Sequence, residues 1–305
     1  MMRFFNKQRL VPMVIGASLA VVIYFGLSWI VVSQALKAEV TDFAYHPGEL
    51  SLTYEDVQFS PREDDSITLR GWWIPQENAI ATVIYVHGLN KNRAERLPLL
   101  REFLLNGFSV LTFDLRGHGK SDHVQIGGGF FEQDDVRGAI DFAIEEKGVE
   151  SGKLLLMGKG LGAASALLGG LGESSLVGIY ADSSFATLDQ VIITGVANRT
   201  LLPKWFASSL QPGISLMASW TKGIDVGATR PIDAAAQFPF LLGTAHCIED
   251  ELVPVEDALR IRAVAEGGSW FNLFPNCEHA RAYDAFTEQY TAIVVNYYLE
   301  RLGLL

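Results

Sequence analysis

The sequence predicts an α/β protein: a mostly parallel central sheet flanked by helices, carried behind an N-terminal transmembrane helix. Three observations lead there. Short β-branched apolar runs alternate with helix-like stretches along most of the chain, the pattern of βαβ units. One such run ends at Gly158 and turns through glycines into a small-residue helix. The segment from Leu10 to Leu36 contains no charged residue.

Composition narrows the classes. Over 305 residues, 49% are hydrophobic and 19% charged, which describes a packed globular chain rather than a disordered one. A net charge of −11 repels phosphate backbones, so nucleic acid is not an expected partner. Six histidines and two cysteines are too scattered to suggest a metal cluster. No dinucleotide or P-loop fingerprint is present, and no cofactor is expected.

Leu10–Leu36 exceeds the roughly 20 apolar residues that cross about 30 Å of hydrocarbon. Tyr24 and Trp29 fall in its second half, where an interfacial aromatic is expected near one end. Arg3, Lys7 and Arg9 precede it, and Lys37 after it is offset by Glu39 and Asp42. The positive-inside bias makes residues 1–9 a cytoplasmic tail and 10–36 a signal-anchor helix of the cell membrane, with the rest extracytoplasmic. A cleaved signal peptide is the alternative, with Ser33 and Ala35 at a small-x-small site. Its apolar core would exceed the usual 7–15 residues. A buried core helix is disfavoured because no polar face shows.

Residues 37–50 read as a stalk with a turn at His46-Pro47-Gly48. The segments LSLTYEDVQFS and SITLRGWWI alternate around a charged turn and read as an antiparallel hairpin opening a domain over 51–305. ATVIYVHG is a buried strand. RAERLPLLREFLLNG has helical spacing and ends on Gly107, a C-cap residue. FSVLTFDLRGHG is the next strand, and FEQDDVRGAIDFAIEEKG an amphipathic helix with acids in its first turn. KLLLMGKGLGAASALLGG is a strand turning into a helix, and LVGIYADSSF another strand. Residues of about 187–236, with Trp205, Trp220 and three prolines, break the rhythm and read as a cap insertion. FPFLLGTAHC, VEDALRIRAVA, SWFNLFP and FTEQYTAIVVNYYLERL then complete strand, helix, strand and helix.

Four motifs in order resemble the α/β-hydrolase superfamily, in its serine aminopeptidase-like and esterase-like branch. Tyr85-Val86-His87-Gly88-Leu89-Asn90 is similar to the turn whose backbone N–H helps form an oxyanion hole, which implies Leu89 as donor. Phe113 to Ser121 is similar to the loop after the fourth strand; His118 there is expected to be a solvated loop residue with no catalytic role. Gly158-Lys159-Gly160-Leu161-Gly162 occupies the place of the family's G-x-S-x-G elbow, with Leu161 as the second oxyanion donor. The nucleophile position is Gly160, and the serine is missing. His246 to Pro254 resembles the segment bearing the acid, implying Asp250, and Asn276-Cys277-Glu278-His279 resembles the loop bearing the base, implying His279. The resemblance thus implies an α/β-hydrolase fold with a helical cap.

Two serines are weighed as substitute nucleophiles, Ser165 and Ser183, beside direct activation of water by His279. The expectation for each serine is a structural role, since nucleophile and base must lie within hydrogen-bond reach. Lys159 is expected to be solvated, or else paired with Asp182 or Asp250. Cys247 and Cys277 follow the last two strands, and a disulfide between them is chemically permitted outside the membrane; two free thiols are the alternative. Two functional readings stand. One is a hydrolase of a small ester or amide, weak or using a substitute nucleophile. The other is a non-catalytic protein that binds a small-molecule ester, amide or peptide at the membrane surface. Loss of the serine favours the second. The sequence is compatible with a natural glycine at 160 and with an introduced one.

Overall fold

The computed structural model describes residues 7–199 and 203–305. Arg3 and most of the predicted cytoplasmic tail lie outside the described residues. Eight strands form one sheet: β1 (Glu55–Phe59), β2 (Leu69–Ile74), β3 (Ala81–Val86), β4 (Phe108–Asp114), β5 (Leu154–Lys159), β6 (Leu176–Asp182), β7 (Leu242–Cys247) and β8 (Ser269–Phe274). Their order is β1-β2-β4-β3-β5-β6-β7-β8. The β1–β2 and β2–β4 pairs are antiparallel and the remainder parallel.

The helices follow in chain order. The first is α1 (Lys7–Ala35), ahead of the sheet. Between strands lie α2 (Leu97–Leu105), α3 (Glu132–Glu145) and α4 (Leu161–Gly170). Between β6 and β7 come α5 (Leu188–Arg199), α6 (Lys204–Ser209), α7 (Gln211–Lys222) and α8 (Pro231–Ala235). The rest are α9 (Val255–Val264), α10 (Ala282–Ala285) and α11 (Thr287–Arg301).

The central strands are apolar along their whole length because both faces are covered. Successive side chains alternate between two cores. Ile84, Val86, Leu111, Phe113, Leu154 and Leu156 face α3, α4 and α8, while Val83, Tyr85, Val110, Leu155 and Met157 face α2 and α11. A third core joins the β6–β7 insertion to the N-terminal helix: Val32 of α1 and Leu36 just beyond its end pack with Leu188, Ile192, Ile214 and Met217. Burying the end of a helix this apolar removes area from water at about 25 cal/mol per Å².

The contact between α1 and α7 is close. A Cβ on Gly213 of α7 would lie 2.4 Å from Ser28 Oγ, so only glycine fits there. The Gly213 N–H donates to the Tyr24 hydroxyl at 2.9 Å, and that hydroxyl donates to Ser209 O at 3.1 Å. Tyr24 therefore makes a helix–helix contact, a role its place in the sequence does not suggest. Nor is 37–50 a free stalk. Asn92 Nδ2 donates to the Thr41 and Asp42 carbonyls, and Phe43 packs edge-on against Trp72.

His118 corrects the sequence reading. It is fully buried, with Nδ1 2.8 Å from Arg116 O and its ring 5.0 Å from the His87 ring. His87 ties two turns together: its Nδ1–H donates to Gly88 O at 2.8 Å, and Nε2 accepts the Leu115 N–H at 3.0 Å. The polar GHG loop looked solvated because a sequence does not show which loops fold back over a sheet edge.

Burial holds both imidazoles neutral, pushing each down to about 4 from 6.5. Folding therefore gains from neutral histidine above pH 6.5, and the gain is lost as pH falls from there toward 4. At 1.36 kcal/mol per unit, His87 alone contributes about 3 kcal/mol across that window. The stability difference between the native protein and His87→Gln, read by urea unfolding at fixed temperature, is expected to fall between pH 6.5 and 4; a pH-independent difference would contradict a neutral buried imidazole. The difference is the readout because burial also pushes the Asp135 carboxyl up to about 7, which acts on total stability with the opposite sign.

Candidate active site

The bend between β5 and α4 is a single residue. Gly160 has φ 54° and ψ −114°, a backbone state that side chains other than hydrogen disfavour. Its flanking glycines have a packing reason. A Cβ on Gly158 would lie 2.2 Å from Gly162 O, and a Cβ on Gly162 would lie 2.2 Å from Val86 O. The helix can thus start directly above the ends of β3 and β5. The bend is fixed by the Gly160 N–H, which donates to Asp182 O at 2.8 Å.

The loops after β7 and β8 bring the acid and base to this bend. His279 Nδ1 donates to Asp250 Oδ2 at 2.7 Å. The other oxygen, Oδ1, accepts the Leu252 and Val253 N–H groups at 3.0 and 2.8 Å. Asp250 is fully buried and has its lone pairs occupied, so it fixes the orientation of the imidazole. His279 Nε2 then faces the bend: a Cβ on Gly160 would lie 3.3 Å from it. A serine at 160 would carry its oxygen into hydrogen-bond reach of the base. Cys247 and Cys277 form a disulfide with Cα atoms 5.4 Å apart, linking the two loops.

Leu89 and Leu161 both line the space in front of Gly160. Neither backbone N–H has a protein acceptor among the described residues. Two free amides at a helix start and a strand-end turn suit a developing oxyanion. Behind Leu89, the turn is pinned by Glu95, which sequence reasoning missed. Glu95 accepts the Gly88 N–H at 2.9 Å, the Tyr85 hydroxyl at 3.2 Å and Lys159 Nζ at 2.7 Å. Lys159 is therefore neither solvated nor paired with Asp182 or Asp250. The register of β3 beside β5 puts its side chain over the β3 turn. Burial pushes the Glu95 carboxyl up, but the Lys159 ammonium and the Gly88 N–H outweigh it and hold the group below its usual 4.5.

The two serines weighed as substitutes are both buried. Ser165 Oγ donates to Leu161 O at 2.8 Å, and Ser183 Oγ donates to Asp182 Oδ1 at 3.0 Å. Neither reaches the cavity in front of Gly160. That cavity has a volume of about 440 Å³, and none of its lining side chains carries a hydroxyl, thiol or amine. Its walls come in large part from the β6–β7 insertion and, unforeseen from sequence, from Ile30, Val31, Gln34 and Ala35 of α1 and the adjoining Leu36.

The parallel sheet with β5 at its centre, the sharp bend into α4, and Asp250 and His279 on the last two strand-end loops define the α/β-hydrolase fold. Comparison with known proteins agrees. The serine aminopeptidase S33 family profile matches residues 77–215. YfhR of Escherichia coli O157:H7 is 29% identical over 276 residues, 86% of this chain and 88% of that protein. YqkD of Bacillus subtilis strain 168 is 26% identical over 217 residues, covering 70% of each. Among solved structures, the Pyrococcus furiosus esterase Pf2001 superposes with a TM-score of 0.69 at 24% identity, covering 87% of this chain and 99% of its own. The chain is a member of the α/β-hydrolase superfamily.

Two outcomes follow from this geometry. Reducing the disulfide, or Cys277→Ser with Cys247→Ser, should cost about 2–4 kcal/mol, read as a lower denaturant midpoint. Glu95→Gln leaves Lys159 buried without its partner and should destabilise by about 3–5 kcal/mol. With the folded carboxyl depressed, the native Glu95 contribution is present above pH 4.5 and lost as pH falls below it. The pH dependence of Glu95→Gln unfolding should be shallower than native in that acid range.

Proposed function

We propose that this chain is a membrane-anchored α/β-hydrolase-fold protein whose hydrolytic centre is disarmed and whose pocket serves to bind a ligand with a carbonyl group. One observation carries the reading: the cavity facing His279 contains no nucleophilic side chain. The remaining apparatus is intact, with base, acid and two oxyanion donors in place. Loss of the serine from such a centre removes on the order of a million-fold in kcat. The expected ligand is a small ester, amide or peptide, and the largely apolar walls favour an apolar one.

The anchor reading rests on α1, whose Val11–Ala35 stretch is long and apolar enough to cross a membrane. With Arg3, Lys7 and Arg9 before it, the N-terminus is cytoplasmic and the domain extracytoplasmic. A disulfide fits that compartment, since cytosolic thiols are kept reduced. Burial of Val32 and Leu36 in the cap core argues for retention of α1 over cleavage.

A second reading has one observation in its favour. His279 Nε2 faces the space that the Gly160 side chain leaves empty, and a water there is positioned for attack with His279 as base.

Gly160→Ser decides between them. The variant is expected to gain fluorophosphonate labelling and p-nitrophenyl ester turnover that the native protein lacks, at about 1–3 kcal/mol of stability for a side chain in that backbone state. Native turnover abolished by His279→Ala would establish the water mechanism and overturn the disarmed centre.

A further inference from the structure

The part of α1 free of the domain is too short to cross a bilayer. Val11 to Ile23 is exposed, whereas from Tyr24 onward the helix is against the cap, with Ser28, Val32 and Leu36 buried. At 1.5 Å per residue, the free stretch spans about 20 Å, against about 30 Å of hydrocarbon. A spanning α1 therefore draws the adjoining cap about 10 Å into the apolar layer. The cap surface is built for that depth. Trp220 of α7 is 80% exposed and Leu216 53%, and both flank Trp29 of α1 along a shallow apolar groove. Trp205 of α6 is 73% exposed. Clustered exposed tryptophan and leucine of this kind mark an interface with lipid or protein.

The groove at Trp29 and the cavity over Gly160 are walled by successive stretches of the same helix. Ile30 and Val31 of α1 line the cavity together with Val191 and Ile192 of α5, so the membrane helix is itself a wall of the ligand pocket. Gln34 and His279 are the polar side chains of the lining. A charged phospholipid headgroup finds no ionic partner among them, whereas a single hydrocarbon chain is matched throughout.

The polar end fits a particular head. In front of Gly160 stand the Leu89 and Leu161 N–H groups and His279 Nε2, together with the space of a missing side chain. An ester carbonyl needs the two amides. An ester's second oxygen carries an alkyl group and no proton, whereas a carboxyl's second oxygen can share a proton with Nε2, and the vacant position 3.3 Å from that nitrogen is where it would lie. The acid brings its own proton, shared between that oxygen and Nε2, so no net charge is buried beside Asp250.

We propose that the pocket takes a long-chain carboxylic acid laterally from the bilayer, the tail between α1 and α5 and the carboxyl group at Gly160 and His279. This deepens, and rests on, the reading of the chain as a membrane-anchored protein with a disarmed centre.

The test uses the full chain in phosphatidylcholine nanodiscs with a diazirine-bearing palmitic acid. Photolabel is expected on peptides containing Ile30–Leu36 and Val191–Val196. Unlabelled palmitic acid should compete at least tenfold better than methyl palmitate, and butyric acid should not compete. Ile192→Trp, which fills the cavity, should cut labelling at least tenfold, while Val22→Trp on the lipid-facing side of α1 leaves it unchanged. Gly160→Ser, which occupies the second oxygen's place, should also weaken labelling about tenfold. Equal competition by acid and methyl ester would overturn the carboxyl assignment. Labelling spread along Val11–Ile23 and indifferent to Ile192→Trp would overturn lateral entry. Should Ile192→Trp lose its native melting transition, the competition series on the native chain decides alone. The disarmed centre is tested separately by fluorophosphonate reactivity, so a failure of the carboxylic-acid assignment is distinguishable from a failure of that reading.

Discussion

The close approach of α4 to the ends of β3 and β5 is the constraint on which the site depends. Gly158 and Gly162 permit it, because any Cβ at either position would collide with backbone oxygen. That approach forces the chain to reverse within one residue, and the reversal sets the backbone of Gly160 in a conformation a serine would occupy only under strain. With glycine the bend is relaxed. The tight packing does not depend on a side chain at position 160: the fold holds the bend with no hydroxyl there.

Around the bend, polar groups are held by partners rather than by solvent. Asp250 is saturated by two amides and His279, and Glu95 by an amide, a phenol and an ammonium. Buried carboxylates so fully hydrogen-bonded stay in one geometry, whereas half-satisfied ones would not. The disulfide adds a covalent tie between the loops that carry acid and base. A site this well organised is suited to hold a carbonyl or carboxyl group in one orientation even without a nucleophile.

The N-terminal helix joins two roles that a sequence presents as one. Its apolarity reads as an anchor, and half of it is also cap and pocket wall. Ser28 and Tyr24, polar residues in an otherwise apolar run, find their partners against Gly213 and Ser209. On the membrane reading proposed above, a helix that lines the cavity couples membrane depth to access.

The sequence by itself determined the alternation of strands and helices, the glycine-flanked bend and the missing hydroxyl, since each is written in local periodicity or in residue identity. It also carried the order of bend, acid and base, and the pair of cysteines. What only the tertiary structure decided were partners distant in the chain. Lys159 meets Glu95 because β3 lies beside β5; His118 is buried because its loop folds over the sheet edge; α1 closes the pocket because α7 carries a glycine where the helices touch. Strand order and helix docking bring together residues far apart in the chain, such as Tyr24 and Gly213, separated by 189 positions. No local pattern encodes such a contact, because its free energy comes from surfaces that exist only once the chain has folded.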